Sequence, residues 1–386
     1  MNALAAALAV LFSLVLAGCA SAPPMPPVDD LLHDDLFKAP SIAIRPDDAM
    51  ALSAAMQTYL DARLLRTPRG LDRRAWLMEA LYRRDELRLE YDASITRTAA
   101  QAFEARSGNC LALVMMTGAF AKAMGLSVRY QLVLGEEAFE RAGDLAISIG
   151  HVNLTLEERA RGQALVTSDR DPWTVDFMPP GNGSRWRTRT LQEHTVVAMF
   201  LNNRAVESLA AGRTDDAYGW ARAAIRRDPE LLPAYVTLGV IYHRVRQPML
   251  AEAVLARVNA REPDNTSALS NRILALRELG RQAEAGLLQQ RLDRLDPRPR
   301  FSDFQLGIAA LRERRFDDAR RLFERELERS PDYHEFHFWL AITHAELGDP
   351  KRAAEHLRQA MKASTTHKQH ELYAGKLDRL RAQQAQ

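Results

Sequence analysis

The chain has 386 residues, of which 47% are hydrophobic and 26% charged, with a formal net charge of +2. That length accommodates two or three domains with a substantial core. The near-neutral balance provides no basic surface for nucleic acid and no polybasic patch for a membrane. Beyond the N-terminus, no apolar run reaches the ~20 residues that span a bilayer.

Residues 1–18 include "ALAAALAVLFSLVLAG", an apolar stretch with the length of a signal-peptide core. The tetrapeptide Leu16-Ala17-Gly18-Cys19 that follows resembles the lipobox of bacterial lipoproteins. The resemblance implies that Cys19 is lipid-modified and becomes the first mature residue. Ala20 implies the outer membrane, with the protein held on its periplasmic face by the lipid alone. Residues 19–44, which contain "SAPPMPPVDD", then read as a Pro-rich linker. Of the two cysteines, Cys110 is left as the free thiol of an exported chain, with no partner for an intramolecular disulfide.

Residues 45–192 read as an α+β unit, helices first and an antiparallel sheet after. "AMALSAAMQTYLDARLL" and "DRRAWLMEALYRRDELRLEY" carry helical periodicity, separated by the breaker "RTPRG". Helix returns from Ser94 to about Gly125, interrupted at Ser107-Gly108-Asn109. The segments "LSVRYQLVL", "LAISIGHVNLTL", "QALVTS" and "WTVDFM" are short, β-branched and bounded by turn residues, so they are expected to be strands.

Cys110 falls in "ARSGNCLALVMM", at the first turn of an apolar helix. Gly108 permits the tight turn before it. A helix N-terminus carries partial positive charge and unpaired N–H groups, which favour a thiolate and can hold an oxyanion. A thiolate nucleophile needs a base, and the base needs an orienting group. In "ISIGHVNLTL", Val152, Leu154 and Leu156 alternate with His151, Asn153 and Thr155, so a core-facing apolar set leaves His151 on the other side, where it is expected to line a cleft. His194, at the junction before the next region, is a poorer base. In "PWTVDFMPP", Val175 and Phe177 read as buried and Asp176 as pointing away, which makes Asp176 the orienting carboxylate and Asp169 the alternative. Asn109 is adjacent to the thiol, and no other side-chain oxyanion donor is evident.

The order of a cysteine at a helix start, a histidine on a strand and an aspartate on a later strand resembles the transglutaminase-like fold of the papain-like cysteine enzymes. The lead-in "TRTAAQAFEARSGNC" and the small-residue helix ending in "GL" are similar to that family's core motif. The intervals of 41 residues from Cys110 to His151 and 25 from there to Asp176 suit it. The resemblance implies Cys110 as nucleophile, His151 as general base and acid, and Asp176 as the residue that orients the imidazole. It implies a peptidase, amidase or acyltransferase working without a cofactor.

From about residue 195 to 370 a 34-residue period takes over. Pro229, Pro263, Pro297 and Pro331 keep it, as do Ala217, Ala251, Ala285, Ala319 and Ala353, while Gly212, Gly280 and Gly348 mark alternate repeats. This resembles the tetratricopeptide (TPR) repeat, which implies an all-α solenoid of about five helix pairs that binds a protein or peptide. A C-terminal helical tail is expected over 371–386. On the first helix of successive repeats, Val206, Val240, Leu274, Ile308 and Ile342 recur at one position. Asn202, Val236, Ser270, Phe304 and Phe338 recur four residues earlier. Val240, Phe304, Ile308, Phe338 and Ile342 are therefore either an apolar groove for a partner or a face packed on the rest of the chain. His243, His334, His337, His344, His356, His367 and His370 form no metal-ligand spacing, and no metal site is expected.

Overall fold

The computed structural model describes residues 28–64, 72–83, 87–142, 145–158, 172–177, 187–297, 301–364 and 366–384. The signal peptide expected at 1–18, Cys19 as the expected site of lipid attachment, Asp169 and the strand expected at 163–168 lie outside them.

Two helices open the α+β unit, α1 (Ala54–Leu64) and α2 (Arg73–Tyr82). The Asp72 side chain caps α2 by accepting from the Arg74 amide at 2.8 Å. The helix expected to run on through "RRDELRLEY" stops at Tyr82. Past it, β1 (Glu90–Tyr91) pairs in parallel with β2 (Ser107–Gly108), a tertiary pairing that overrides helical propensity. Between those strands α3 (Ala99–Ala105) starts with a reciprocal capping box of Thr98 and Gln101.

The helix α4 (Cys110–Ala123) is the centre of this unit, buried at every residue from Cys110 to Ala121. A helix that is apolar on all sides must be packed on all sides. One of those contacts is with the sheet: Gly118 meets the Tyr130 ring so closely that a Cβ there would collide with it. The four-stranded antiparallel sheet has the order β5 (Trp173–Val175), β4 (Leu145–Glu158), β3 (Leu126–Ala142), β6 (Arg187–Leu191). The edge strand β6, "RTRTL", was not expected. Only Leu191 of it is buried, so it lacks the alternation that marks a half-buried strand.

Five antiparallel helix pairs follow: α5 (Glu193–Ala210) with α6 (Thr214–Arg227), α7 (Leu232–Arg244) with α8 (Pro248–Arg261), α9 (Thr266–Glu278) with α10 (Gln282–Leu295), α11 (Ser302–Arg312) with α12 (Phe316–Arg329), and α13 (His334–Glu346) with α14 (Pro350–Ala363). A final helix α15 (His367–Gln384) packs on α14. Pro229, Pro263, Pro297 and Pro331 each sit two residues past a second helix, where a missing N–H costs nothing. The five in-phase alanines are each at most 1% exposed, as helices that cross closely require.

The 34-residue period also holds a feature that the glycines show only in part. Gly212, Gly280 and Gly348 have φ near +75°, and the equivalent Arg246 and Arg314 adopt φ of 59° and 61°. The turn within every helix pair is therefore left-handed, and two repeats accept a side chain there. An L-residue in that region costs roughly 1–2 kcal/mol, partly offset by the chain entropy that glycine loses on folding. Arg246→Gly is accordingly expected to stabilise the protein by about 0.5 kcal/mol, read as a higher urea midpoint with an unchanged slope.

One apolar core runs from α1 through α4 and the sheet into the first two helix pairs and onto Ala268 and Ala275 of α9, so the α+β unit and the early repeats are not packed separately. The N-terminal segment joins it. Residues 28–44 do not stand clear of the body as a spacer; they lie on α6, α7 and α8. Phe37 stacks on Tyr218 with ring centroids 3.9 Å apart, and the Tyr242 hydroxyl donates to the Leu31 carbonyl at 2.6 Å. Asp216 accepts from the amide and hydroxyl of Ser41 at 2.6 and 2.8 Å, and Asp34 pairs with Arg222 at 2.6 Å. Pro40 and Ile44 fill the space left by Gly219.

Candidate active site

The three residues singled out from the sequence meet at one point. Cys110 opens α4 behind Asn109, whose side-chain oxygen accepts from the Ala112 amide at 3.0 Å and caps the helix. His151 is on β4 and Asp176 directly follows β5. The register that pairs Leu154 with Val175 brings Asp176 alongside Asn153. Val152, Leu154, Leu156 and Val175 are fully buried, as expected for the core-facing set.

The imidazole Nε2 and the Asp176 Oδ2 are 2.8 Å apart, and the Asn153 amide donates to the same oxygen at 3.1 Å. Burial alone would lower the pKa of His151. The hydrogen bonds to Asp176 and Cys110, with the charge of both groups, outweigh it and raise the pKa to about 9. With Nε2 committed to the carboxylate, Nδ1 is the nitrogen left to exchange a proton with the sulfur. Opposite His151, the register between β3 and β4 slips from the Leu132–Val152 pair to the Glu137–Gly150 pair, so four residues of β3 face one residue of β4. Such bulges re-aim a side chain and are common beside active sites.

Two expectations change here. His151 does not line an open cleft: it and Cys110 are each 1% exposed. Asn109 is not free to serve as an oxyanion donor, because its Nδ2 donates to the Thr96 hydroxyl at 2.8 Å while its oxygen caps the helix. The Ala112 and Leu113 N–H groups are taken by Asn109, so the backbone N–H groups of Cys110 and Leu111 are the first-turn donors for that role. Tyr82 was missed from the sequence. Its hydroxyl donates to the Asp176 carbonyl at 3.3 Å, its ring lies 6.0 Å from Phe177, and burial and the Asp176 charge raise its pKa. No periodicity or spacing signals such a contact, because Tyr82 ends a helix far from Asp176 in sequence.

The residues proposed to contact a partner divide. Phe304 is fully buried among Phe323 and Phe336, each 5.6 Å away, and belongs to the solenoid core. Phe338 is covered by Tyr373 of α15 at 5.0 Å. Val240 is partly buried and packs against the shared core. Ile308 and Ile342 are partly buried, and Ile308 lines a cavity of about 220 Å³ with Leu311, Glu335 and Trp339. Among the described residues, no group of three or more histidines, cysteines or acids could hold a metal ion, and no helix is long and apolar enough to cross a membrane.

The tetratricopeptide repeat family model matches residues 236–298 and 304–367. No curated protein matches the chain. Among solved structures, the chain is similar to YrrB, a TPR protein with an unusual peptide-binding site, at 21% identity over 47% of this chain and 92% of that one, with a TM-score of 0.26. It is also similar to MamA, at 16% identity over 41% and 93% with a TM-score of 0.24. A third is TTC0263, a thermophilic TPR protein in Thermus thermophilus, at 19% identity over 47% and 98% with a TM-score of 0.31. The helix pairs, the 34-residue period and the family match agree: the C-terminal region of this chain is an all-helical TPR solenoid.

Proposed function

We propose that the protein is a transglutaminase-like cysteine enzyme, lipid-anchored through Cys19 to the periplasmic face of the outer membrane, whose TPR solenoid recruits a protein or peptide. The observation that carries the enzymatic part is the His151 imidazole held between the Asp176 carboxylate and the Cys110 sulfur.

The chemistry follows from that arrangement. The Cys110 thiolate attacks the carbonyl carbon of an amide or ester, and first-turn N–H groups receive the developing oxyanion. As the C–N or C–O bond breaks, protonated His151 gives its proton to the leaving group. A thioester remains on Cys110. Water then attacks it, losing a proton to His151, and releases the acid; an amine in place of water gives transfer. Hydrolysis is the default in an aqueous compartment. Asp176 keeps the imidazolium oriented throughout. Entry of a substrate requires the side chains that enclose the sulfur to part.

The enclosure of Cys110 and His151 favours a second reading, an envelope scaffold in which this unit is a non-catalytic relic and the repeats alone bind partners. Alkylation separates the two. In the native chain at pH 7, iodoacetamide modifies Cys110, located by peptide mapping, and His151→Ala slows the modification at least tenfold. Labelling of Cys110 only after denaturation overturns the enzymatic reading.

The histidine itself offers a second test. By NMR, His151 is expected to titrate near pH 9. Asp176→Asn drops the midpoint below the ordinary ~6.5, because burial then dominates, and Cys110→Ala lowers it less. A midpoint indifferent to Asp176 would remove the triad.

A further inference from the structure

We propose that Asn203 and Glu207, on the first helix of the solenoid, are positioning residues for the Cys110 thiol, acting through Thr96 and the Asn109 helix cap. The inference rests on the enzymatic reading above and adds residues that it does not use.

Thr96 lies in the loop between β1 and α3, only 2% exposed. Its backbone N–H donates to the Glu207 Oε1 at 2.7 Å, and its hydroxyl accepts from the amide groups of Asn109 at 2.8 Å and Asn203 at 3.3 Å. The other Glu207 oxygen pairs with Arg204 at 2.7 Å, which leaves the carboxylate no freedom to turn away. Asn109, 3% exposed, is thereby held at both ends of its carboxamide: oxygen on the Ala112 amide, nitrogen on Thr96.

A helix cap needs only the first of those contacts. The second is supplied by Thr96, which α5 holds in place, and a buried amide left without a partner is costly. Freezing the carboxamide freezes the turn in which Cys110 is the first residue. The sulfur then keeps its distance from His151, which sits on a different element. The α5 helix packs on α4 and on β3, so the solenoid begins as part of the wall around the nucleophile.

The test uses the full chain and two readouts: the NMR titration midpoint of His151, which a loss of stability alone leaves unmoved, and the native alkylation rate of Cys110, which a loss of stability alone raises rather than lowers. Thr96→Val keeps the shape and removes the hydroxyl; Thr96→Ser keeps the hydroxyl. The valine variant is expected to slow alkylation at least fivefold and to move the His151 midpoint at least half a unit toward its value in Cys110→Ala. The serine variant restores both. Glu207→Ala follows the valine variant, while Glu207→Gln, which retains an acceptor for the Thr96 amide, stays close to the native protein.

If Thr96→Val lowers the melting temperature and leaves both readouts native, positioning is overturned and the network is structural. If that variant does not fold, Asn203→Ala, which removes one of the two amides on the hydroxyl, carries the same comparison. If Cys110→Ala itself leaves the His151 midpoint unchanged, the pairing of thiol and imidazole is wrong, and this inference falls with it.

Discussion

Acidification from pH 7 to pH 4.5 is expected to destabilise the last repeat by on the order of 3 kcal/mol, and the cause lies in four histidines of α13 and α14. Burial depresses His334 and His356 to about 4, and it lowers His337 and His344 as well. His337 Nε2 lies 2.9 Å from the Pro331 carbonyl, so that nitrogen carries the proton and donates. Its Nδ1 is therefore an acceptor when the ring is neutral, and His356 Nδ1, 3.1 Å away, must be the donor. His344 stacks on His356 with an interplanar angle of 10°. A proton added to His337 leaves two N–H groups facing each other, and one added to His356 charges a ring pressed between two others.

The sign is that of a depressed base. The unfolded chain takes up these protons near pH 6.5, the folded one only near 4. The stability is fully present above ~6.5 and is lost as the pH falls toward 4. Thermal melts across this range are expected to show the loss, and His356→Gln to flatten the profile while retaining a donor for His337. A profile that keeps its slope in that variant would place the acid sensitivity elsewhere.

The second large effect belongs to the N-terminal segment. Phe37→Ala is expected to cost about 2 kcal/mol, below the roughly 3–5 kcal/mol of a fully buried ring, because Phe37 is only partly enclosed. Its partner Tyr218 is otherwise committed: the hydroxyl donates to Asp34 at 2.7 Å, and this bond is the largest cause of the depressed pKa of that carboxyl. Loss of the ring therefore loosens Asp34, and with it the ion pair to Arg222. Hydrogen exchange is expected to accelerate across 28–44 while α9 to α14 stay protected. Unchanged protection in 28–44 would mean that the polar contacts hold the segment without the stacked pair.

The sequence reads most clearly where one residue's own backbone chemistry decides the outcome. Pro229, Pro263, Pro297 and Pro331 cannot continue a helix, Ala217 and its equivalents leave room for a crossing, and both are visible one repeat at a time. The pairing of His151 with Asp176 was also legible, because alternation along two strands settles which side chains share a side. What escaped depends on partners far away in the chain. The Tyr242 contact to His33 joins residues 209 apart, and the Glu207 contact to Thr96 joins residues 111 apart. Arg246 and Arg314 hid the left-handed turns, since arginine carries no conformational signature. The enclosure of Cys110 was likewise invisible, because twelve apolar or small residues in succession mark a buried helix without showing what closes its first turn.

The docked N-terminal segment has a geometric consequence for the proposed anchor. Asp30 is bound to Arg257 of α8 at 2.8 Å, and Val28 packs against the shared core, so the first described residues are fixed beside the second helix pair. Cys19 precedes Val28 by nine residues. At full extension these reach about 30 Å. A lipid on Cys19 would thus hold the protein on a short leash attached beside the second helix pair, with α8 turned toward the bilayer. The far repeats, α11 to α15, would then sweep an arc out from the membrane, and on the proposed anchoring that arc would set how deep into the periplasm a partner could be caught.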